Sequence, residues 1–147
     1  MRKRTQAREY ALQILYQINL TKGDVESVLQ DFWIYQPAGE DVMQFTNRIV
    51  KGALTFQPEI DQIIQKYTEN WDLERMAVVD RNILRLSTFE LIYLEDIPPK
   101  VAINEAVNLA KKFSQLESGK FVNGVLDKIT HSEPKRTAPG ETPVKKS

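Results

Sequence analysis

The stretch VVDRNILRLSTFELIYL, residues 78–94, decides the fold. Val79, Ile83, Leu86 and Leu91 recur at helical spacing, and the positions between them are dense in Val, Ile, Leu and Phe. The apolar band is too broad for a helix lying on a surface, so the segment reads as a helix covered on most sides. It is predicted as the central helix of the second half of the molecule. Asp96-Ile97-Pro98-Pro99 stops it, because proline pushes the residue before it out of the helical region.

Working outward, 101–113 is predicted helical with Ile103, Ala106, Val107 and Ala110 inward. Ser118 reads as the cap of a last helix carrying Val122, Val125, Leu126 and Ile129. Upstream, 70–76 reads as a connector with one helical turn. Ala7, Ala11, Ile14, Leu15 and Ile18 stripe a first helix over about 4–20, which Lys22-Gly23 ends through glycine's tolerance of the left-handed conformation. Asp24 is placed to cap a second helix with Val25, Val28, Leu29 and Phe32. Pro37-Ala38-Gly39 breaks that helix, and a third pattern runs over about 41–67. Pro58 falls inside it and kinks or divides it, since proline lacks the N–H and clashes with the preceding turn. No strand-like alternation bounded by turn signals occurs. The expected fold is all-α, two packed three-helix-type bundles over about 4–67 and 71–130 within one domain of 1–130. The segment SEPKRTAPGETPVKKS, 132–147, holds three of the seven prolines and almost no large apolar residue, so disorder is expected there.

The chain has 147 residues, 41% hydrophobic and 27% charged, with 20 basic and 20 acidic side chains and no formal net charge. Overall charge attracts no nucleic acid, so an RNA site would need local segregation of charge. Cysteine is absent, which excludes disulfides, thiolate nucleophiles and Cys-based zinc sites. The apolar part of the first helix is interrupted by Glu9, Gln13, Gln17 and Asn19, unlike a signal peptide. A cytoplasmic location is expected. The only histidine is His131, and no glycine-rich phosphate loop or paired metal-ligand spacing occurs. An enzyme would have to rest on carboxylates alone. No enzymatic activity, cofactor or metal is therefore expected, and Glu90, close to the central apolar stripe, reads as a structural carboxylate paired with an arginine or with backbone N–H groups.

Charge is segregated in one place. Arg2, Lys3, Arg4 and Arg8 put four cations in eight residues with no acid among them. A helix start already carries partial positive charge, so cations gathered there call for an anion such as phosphate. The plainer reading is a solvated basic leader. A second feature is Lys111-Lys112-Phe113 with Glu117, Lys120 and Phe121 around the last interhelical linker. Lysines can hold a phosphate track while a ring stacks on an unpaired base. Alternatively, the rings are helix-end core residues and the lysines are solvated.

Several blocks resemble one family, in order over about 4–130. They are Arg4-Thr5-Gln6-Ala7-Arg8-Glu9 running into Ala11-Leu12-Gln13-Ile14-Leu15-Tyr16, and Val79-Asp80-Arg81-Asn82-Ile83-Leu84-Arg85-Leu86 with Phe89-Glu90-Leu91. Further on come Asp96-Ile97-Pro98, Val101-Ala102-Ile103-Asn104-Glu105-Ala106-Val107, Leu109-Ala110-Lys111 and Phe121-Val122-Asn123-Gly124-Val125-Leu126-Asp127. Together they look like the transcription antitermination factors of the NusB family. The resemblance implies a factor that pairs with the small-subunit ribosomal protein NusE and binds the boxA element of nascent ribosomal RNA. The pair then helps load an antitermination complex onto RNA polymerase. By position, the RNA surface would include Lys3, Arg4, Arg8, Glu117, Lys120 and Phe121, and the NusE-facing surface Tyr16, Asp80 and Arg81. A complementary basic group on the partner is expected opposite Asp80. Thr5 and Gln6 interrupt the fuller arginine run of the family. Glu117 adds negative charge to the RNA surface, where it accepts a hydrogen bond from a base amino group or weakens contact with phosphate.

Two other readings compete. One is a helical interaction module, a homodimer that touches no RNA. The other is an RNA cytosine methyltransferase of the kind that carries a NusB-like domain. It needs a separate cofactor-binding domain and a catalytic cysteine, and this chain has neither.

Overall fold

A computed structural model describes residues 2–69 and 72–136. Among them are seven α-helices: α1 (Lys3–Thr21), α2 (Val25–Tyr35), α3 (Glu40–Thr55), α4 (Gln57–Tyr67), α5 (Val78–Tyr93), α6 (Pro99–Phe113) and α7 (Ser118–Ser132). A single 3₁₀ turn, Leu73–Arg75, supplies the helical turn expected in the connector, of which Asn70 and Trp71 lie outside the described residues. The fold is all-α, as the periodicity predicts.

The boundaries follow local chemistry. Asp24 caps α2 by accepting from the backbone N–H of Ser27 at 3.1 Å. Pro58 does divide the third pattern, and it sits in the first turn of α4, where its missing N–H has no partner to lose. Pro99 likewise opens α6, two residues earlier than the spacing predicted. Two helix ends differ from the sequence expectation. The left-handed residue after α1 is Lys22 (φ 56°) and not Gly23, whose N–H instead meets the Thr21 hydroxyl at 3.2 Å. Ser118 does not cap α7 either; Glu117 precedes the helix, and the Ser118 hydroxyl turns away to Asp80.

The central role predicted for residues 78–94 is borne out. Helix α5 packs against α1, α3, α4, α6 and α7. Its Ile83, Leu84, Leu86 and Ile92 are at most 1% exposed, each burial contributing about 1.5–3 kcal/mol. Phe89 lies so close to α3 that a Cβ added at Gly52 would fall 2.0 Å from its ring. Phe56, Phe89 and Tyr93 stack beside it, with centroids 4.3 Å apart for Phe56 and Tyr93. The turn at Phe56 sends α4 onto α5 and α7, while α1 and α3 pack closely together.

The expected disorder of 132–147 needs correction at its start. The first residues after α7 are tied to the core: Arg136 donates its backbone N–H to the Ile92 carbonyl at 2.7 Å, and Lys135 reaches the carbonyls of Leu91 and Leu94. Glu133 accepts from the Tyr67 hydroxyl at 2.5 Å and from Lys66 at 3.1 Å. These contacts satisfy the open carbonyl end of α5, which a composition argument does not see. Residues 137–147 lie outside the described residues.

Candidate functional site

The basic opening of α1 leaves its helix start uncapped. Its N-cap position, Arg2, makes no side-chain capping bond, and no acid stands in the first turn. Free N–H groups and the positive end of the helix dipole therefore face outward. Lys3 pairs with Asp41 at 3.1 Å, both side chains about three-quarters exposed. Arg4 lies over the Phe45 ring at 4.5 Å, and it shares Asp96 with Arg48, at 3.9 and 3.3 Å. Exposed pairs of this kind are worth only about 0–1 kcal/mol, so an arriving phosphate competes with the carboxylates at little cost. Lys3, Arg4 and Arg48 line one groove together with Asp41, Gln44 and Phe45. Arg48 was not singled out in the sequence, because only the packing of α3 on α1 brings it there.

Arg8 is the clear correction. Named by the resemblance with Lys3 and Arg4 on the RNA surface, it is buried, its side chain 3% exposed. Its guanidinium makes a fork to Glu90, with Nε 3.1 and 3.0 Å from the two carboxylate oxygens and Nη2 2.6 Å from one of them. Glu105 lies 3.5 Å away and the Phe45 ring 5.2 Å away. One turn separates Arg4 from Arg8, but residues 5–8 face the neighbouring helices: Thr5 donates to Glu105 of α6, the Ala7 carbonyl accepts from Thr46 of α3, and Arg8 reaches Glu90 of α5. Arg8 is spent inside and cannot meet a phosphate. Glu90 is the structural carboxylate the sequence predicts; burial pushes its carboxyl up, and Arg8 opposes that push.

Helix α6 joins the two basic regions. Thr5 donates to Glu105 at 2.7 Å, and Lys112 holds Glu9 at 2.9 Å, pinning α1 along α6. On its other side, α7 lies against α6, with the Cβ position of Gly119 3.4 Å from Lys111 Cγ. Glu117 and Lys120 are exposed, while Phe121 is half-buried against the core. The packed reading of that ring is thus met for most of its surface. Of the two phenylalanines flanking the linker, Phe113 is the more open, at 38% exposure.

The remaining residues sit at the other end of α1. Tyr16 is 44% exposed and lines a groove with Leu12, Val79 and Phe113. Asp80, half-buried, accepts from the hydroxyls of Ser114 at 2.5 Å and Ser118 at 3.1 Å. It staples α5 to the α6–α7 linker, so both carboxylate oxygens are engaged within the chain. Arg81 is turned to the connector, donating to the carbonyls of Leu73 and Glu74 at 3.4 Å each. Tyr16 is therefore the surface member of the three, and Asp80 and Arg81 shape its surroundings. Leu116, 94% exposed in the linker, and Asn82 beneath the groove were not anticipated. His131 lies in α7 with Nδ1 2.8 Å from the Asp127 carbonyl. Among the described residues no group of three or more His, Asp or Glu could hold a metal ion, and no helix is long and apolar enough to cross a membrane.

Comparison with known proteins places this arrangement. The model of the NusB family matches residues 5–131. The transcription antitermination protein NusB of Thermodesulfovibrio yellowstonii is 41% identical over 141 residues, covering 89% of this chain and 93% of that protein. A solved structure of T. maritima NusB superposes with a TM-score of 0.82 at 34% identity, covering 90% of this chain and 92% of the other. A crystal structure of the antitermination factors NusB and NusE in complex with double-stranded RNA gives 0.81 at 32% identity, over 90% of this chain and 98% of the matched one. With the family model spanning nearly all the described helices and relatives this similar over most of their length, the chain belongs to the NusB family.

Proposed function

We propose that this protein is a non-catalytic, RNA-binding transcription antitermination factor that works as a pair with NusE. In this reading it binds boxA of the nascent ribosomal RNA leader and helps assemble the antitermination complex on RNA polymerase. The observation that carries it is the uncapped start of α1 with Lys3, Arg4 and Arg48 lining one groove, in a chain with no net charge. Such a groove offers phosphate contacts that fix register, and bases are then read elsewhere. Lys120, Glu117 and the exposed edge of Phe121 supply that second contact at the start of α7. Tyr16 and its groove form the face for NusE. A relative solved together with NusE and double-stranded RNA supports the pairing with NusE and with RNA.

The test is a titration of boxA RNA against the protein alone and against its mixture with NusE, over a range of salt. Binding that strengthens with NusE, prefers boxA to an unrelated strand and weakens as salt rises is the expected result. Equal affinity for both strands in the presence of NusE overturns the reading.

The exposed Phe113 and Leu116 favour one second reading, a homodimer that touches no RNA. Light scattering with and without RNA separates the two. A stable dimer that hides Lys3 and Arg4 supports the module.

A further inference from the structure

Asn82 is 1% exposed on α5, and neither its carboxamide oxygen nor its nitrogen has a hydrogen-bond partner among the described residues. Folded proteins rarely leave both ends of a buried amide unmet, because the lost hydration is not recovered. The side chain is not buried just anywhere. It lines a groove of about 240 Å³ whose walls are Leu12, Tyr16, Val79 and Phe113, with Glu9 at the rim. The two aromatic walls are 44% and 38% exposed, so the groove stands open beside the unmet amide.

A carboxamide presents one donor group and one acceptor side by side, which is the complement of a main-chain peptide unit. Resting on the reading of this face as the partner surface, we propose that Asn82 is a specificity residue for the protein partner. It receives the main chain of an extended segment of NusE that lays an apolar side chain between Tyr16 and Phe113. Charge selects a polypeptide over a nucleic acid here. The ionisable group lining the groove is the carboxylate of Glu9, whose neighbouring cation Lys112 it already holds at 2.9 Å. Asp80 adds a second carboxylate on the adjoining turn of α5. Lys112 neutralises Glu9, so the residues lining the groove offer a phosphate backbone no unpaired cation, while the Asp80 carboxylate, held by two serine hydroxyls, keeps a negative charge that favours a segment carrying positive charge.

The experiment is a calorimetric titration of the whole chain with purified NusE, for the native protein and for Asn82→Ala and Asn82→Leu, with thermal melts followed by helicity. Both variants are expected to bind NusE roughly tenfold more weakly or worse, a change of about 1.4 kcal/mol per tenfold. Their melting temperatures hold or rise, since an unmet polar group has left the interior. A merely structural asparagine gives the reverse, a lower melting temperature with unchanged affinity, and that pattern overturns the proposal. Weaker binding to RNA alone with NusE binding intact also overturns it, by placing a base against Asn82. If the native protein itself fails to bind NusE, the partner reading falls, and that result is read before any variant is used.

Discussion

Arg8 and Glu90, 82 positions apart in the chain, meet in a buried fork whose shortest contact is 2.6 Å, with the two side chains 3% and 2% exposed. The pair locks the first helix to the central one. It also divides the opening basic run into cations that face solvent and one that holds the fold. Removing one partner of such a pair leaves an uncompensated charge in the interior, at a cost of about 3–5 kcal/mol. Arg8→Ala should therefore lower stability by about that amount in urea denaturation. Replacing Arg8 and Glu90 together with apolar residues of similar size should cost less than either single change, because no charge is then stranded. A double variant as unstable as the sum of the singles contradicts this account of the pair.

Asp80 is expected to matter to RNA without touching it. Its carboxylate gathers the Ser114 and Ser118 hydroxyls and so fixes the linker from which Glu117 and Lys120 project. Asp80→Ala removes hydrogen bonds to a charged acceptor and should destabilise by about 1–3 kcal/mol. Faster amide exchange confined to 114–121 is the expected local signature, with a moderate loss of RNA affinity. Unchanged exchange in that linker would show that the staple carries no weight.

Gly52 fits because it has no side chain. A Cβ there would lie 2.0, 2.3 and 2.5 Å from three atoms of the Phe89 ring. That ring is 4% exposed and belongs to the stack with Phe56 and Tyr93, so it has little room to withdraw. Gly52→Ala should destabilise by about 1–3 kcal/mol through overpacking, despite alanine's better helix propensity. Gly124, with open space around its Cβ position, is the control. Gly124→Ala should hold or raise the melting temperature.

The anchoring of residues 133–136 should depend on pH. The Tyr67 hydroxyl foremost, then Lys66, holds the Glu133 carboxyl below its ordinary value of 4.5, and Glu133 in turn raises the Lys66 ammonium. A carboxyl depressed in the folded state stabilises above its unfolded value, and that contribution is lost as pH falls through the folded one. The contact should thus be complete at neutral pH and released below the ordinary carboxylate range. An NMR titration of the Glu133 side-chain carboxyl should give a midpoint under 4.5. Tyr67→Phe should move it upward, and an unmoved midpoint would deny the hydroxyl its role.

Much of the fold was legible because its signals are local. The broad apolar band over 78–94 announced a covered helix, Asp24 its capping role, and Pro58 a division. What escaped was set by tertiary neighbours. Nothing in Arg4 and Arg8, one turn apart, says that only the second passes beneath α3, α5 and α6. Likewise Ser118 is a good capping residue by type, and only the position of Asp80 draws its hydroxyl elsewhere. Arg48 carries no local mark as a site residue, since its membership in the groove depends on how α3 lies against α1. The tie of Lys135 and Arg136 to open carbonyls at the end of α5 was hidden by a composition that suggests disorder. The candidate surface was therefore half readable: Lys3, Arg4, Lys120 and Tyr16 are exposed, as a surface role requires, while the burial of Arg8 and the company each residue keeps were not legible.

The central claim is that Lys3, Arg4 and Arg48 meet phosphates of the RNA. The most direct measurement is the affinity for boxA RNA across a salt series, with NusE present, for the native protein and for the Lys3→Ala, Arg4→Ala and Arg48→Ala variants. Each lost phosphate contact should weaken binding and flatten the dependence of log affinity on log salt by roughly one unit, with the melting temperature nearly unchanged. Slopes identical to the native protein in all three variants would contradict the account.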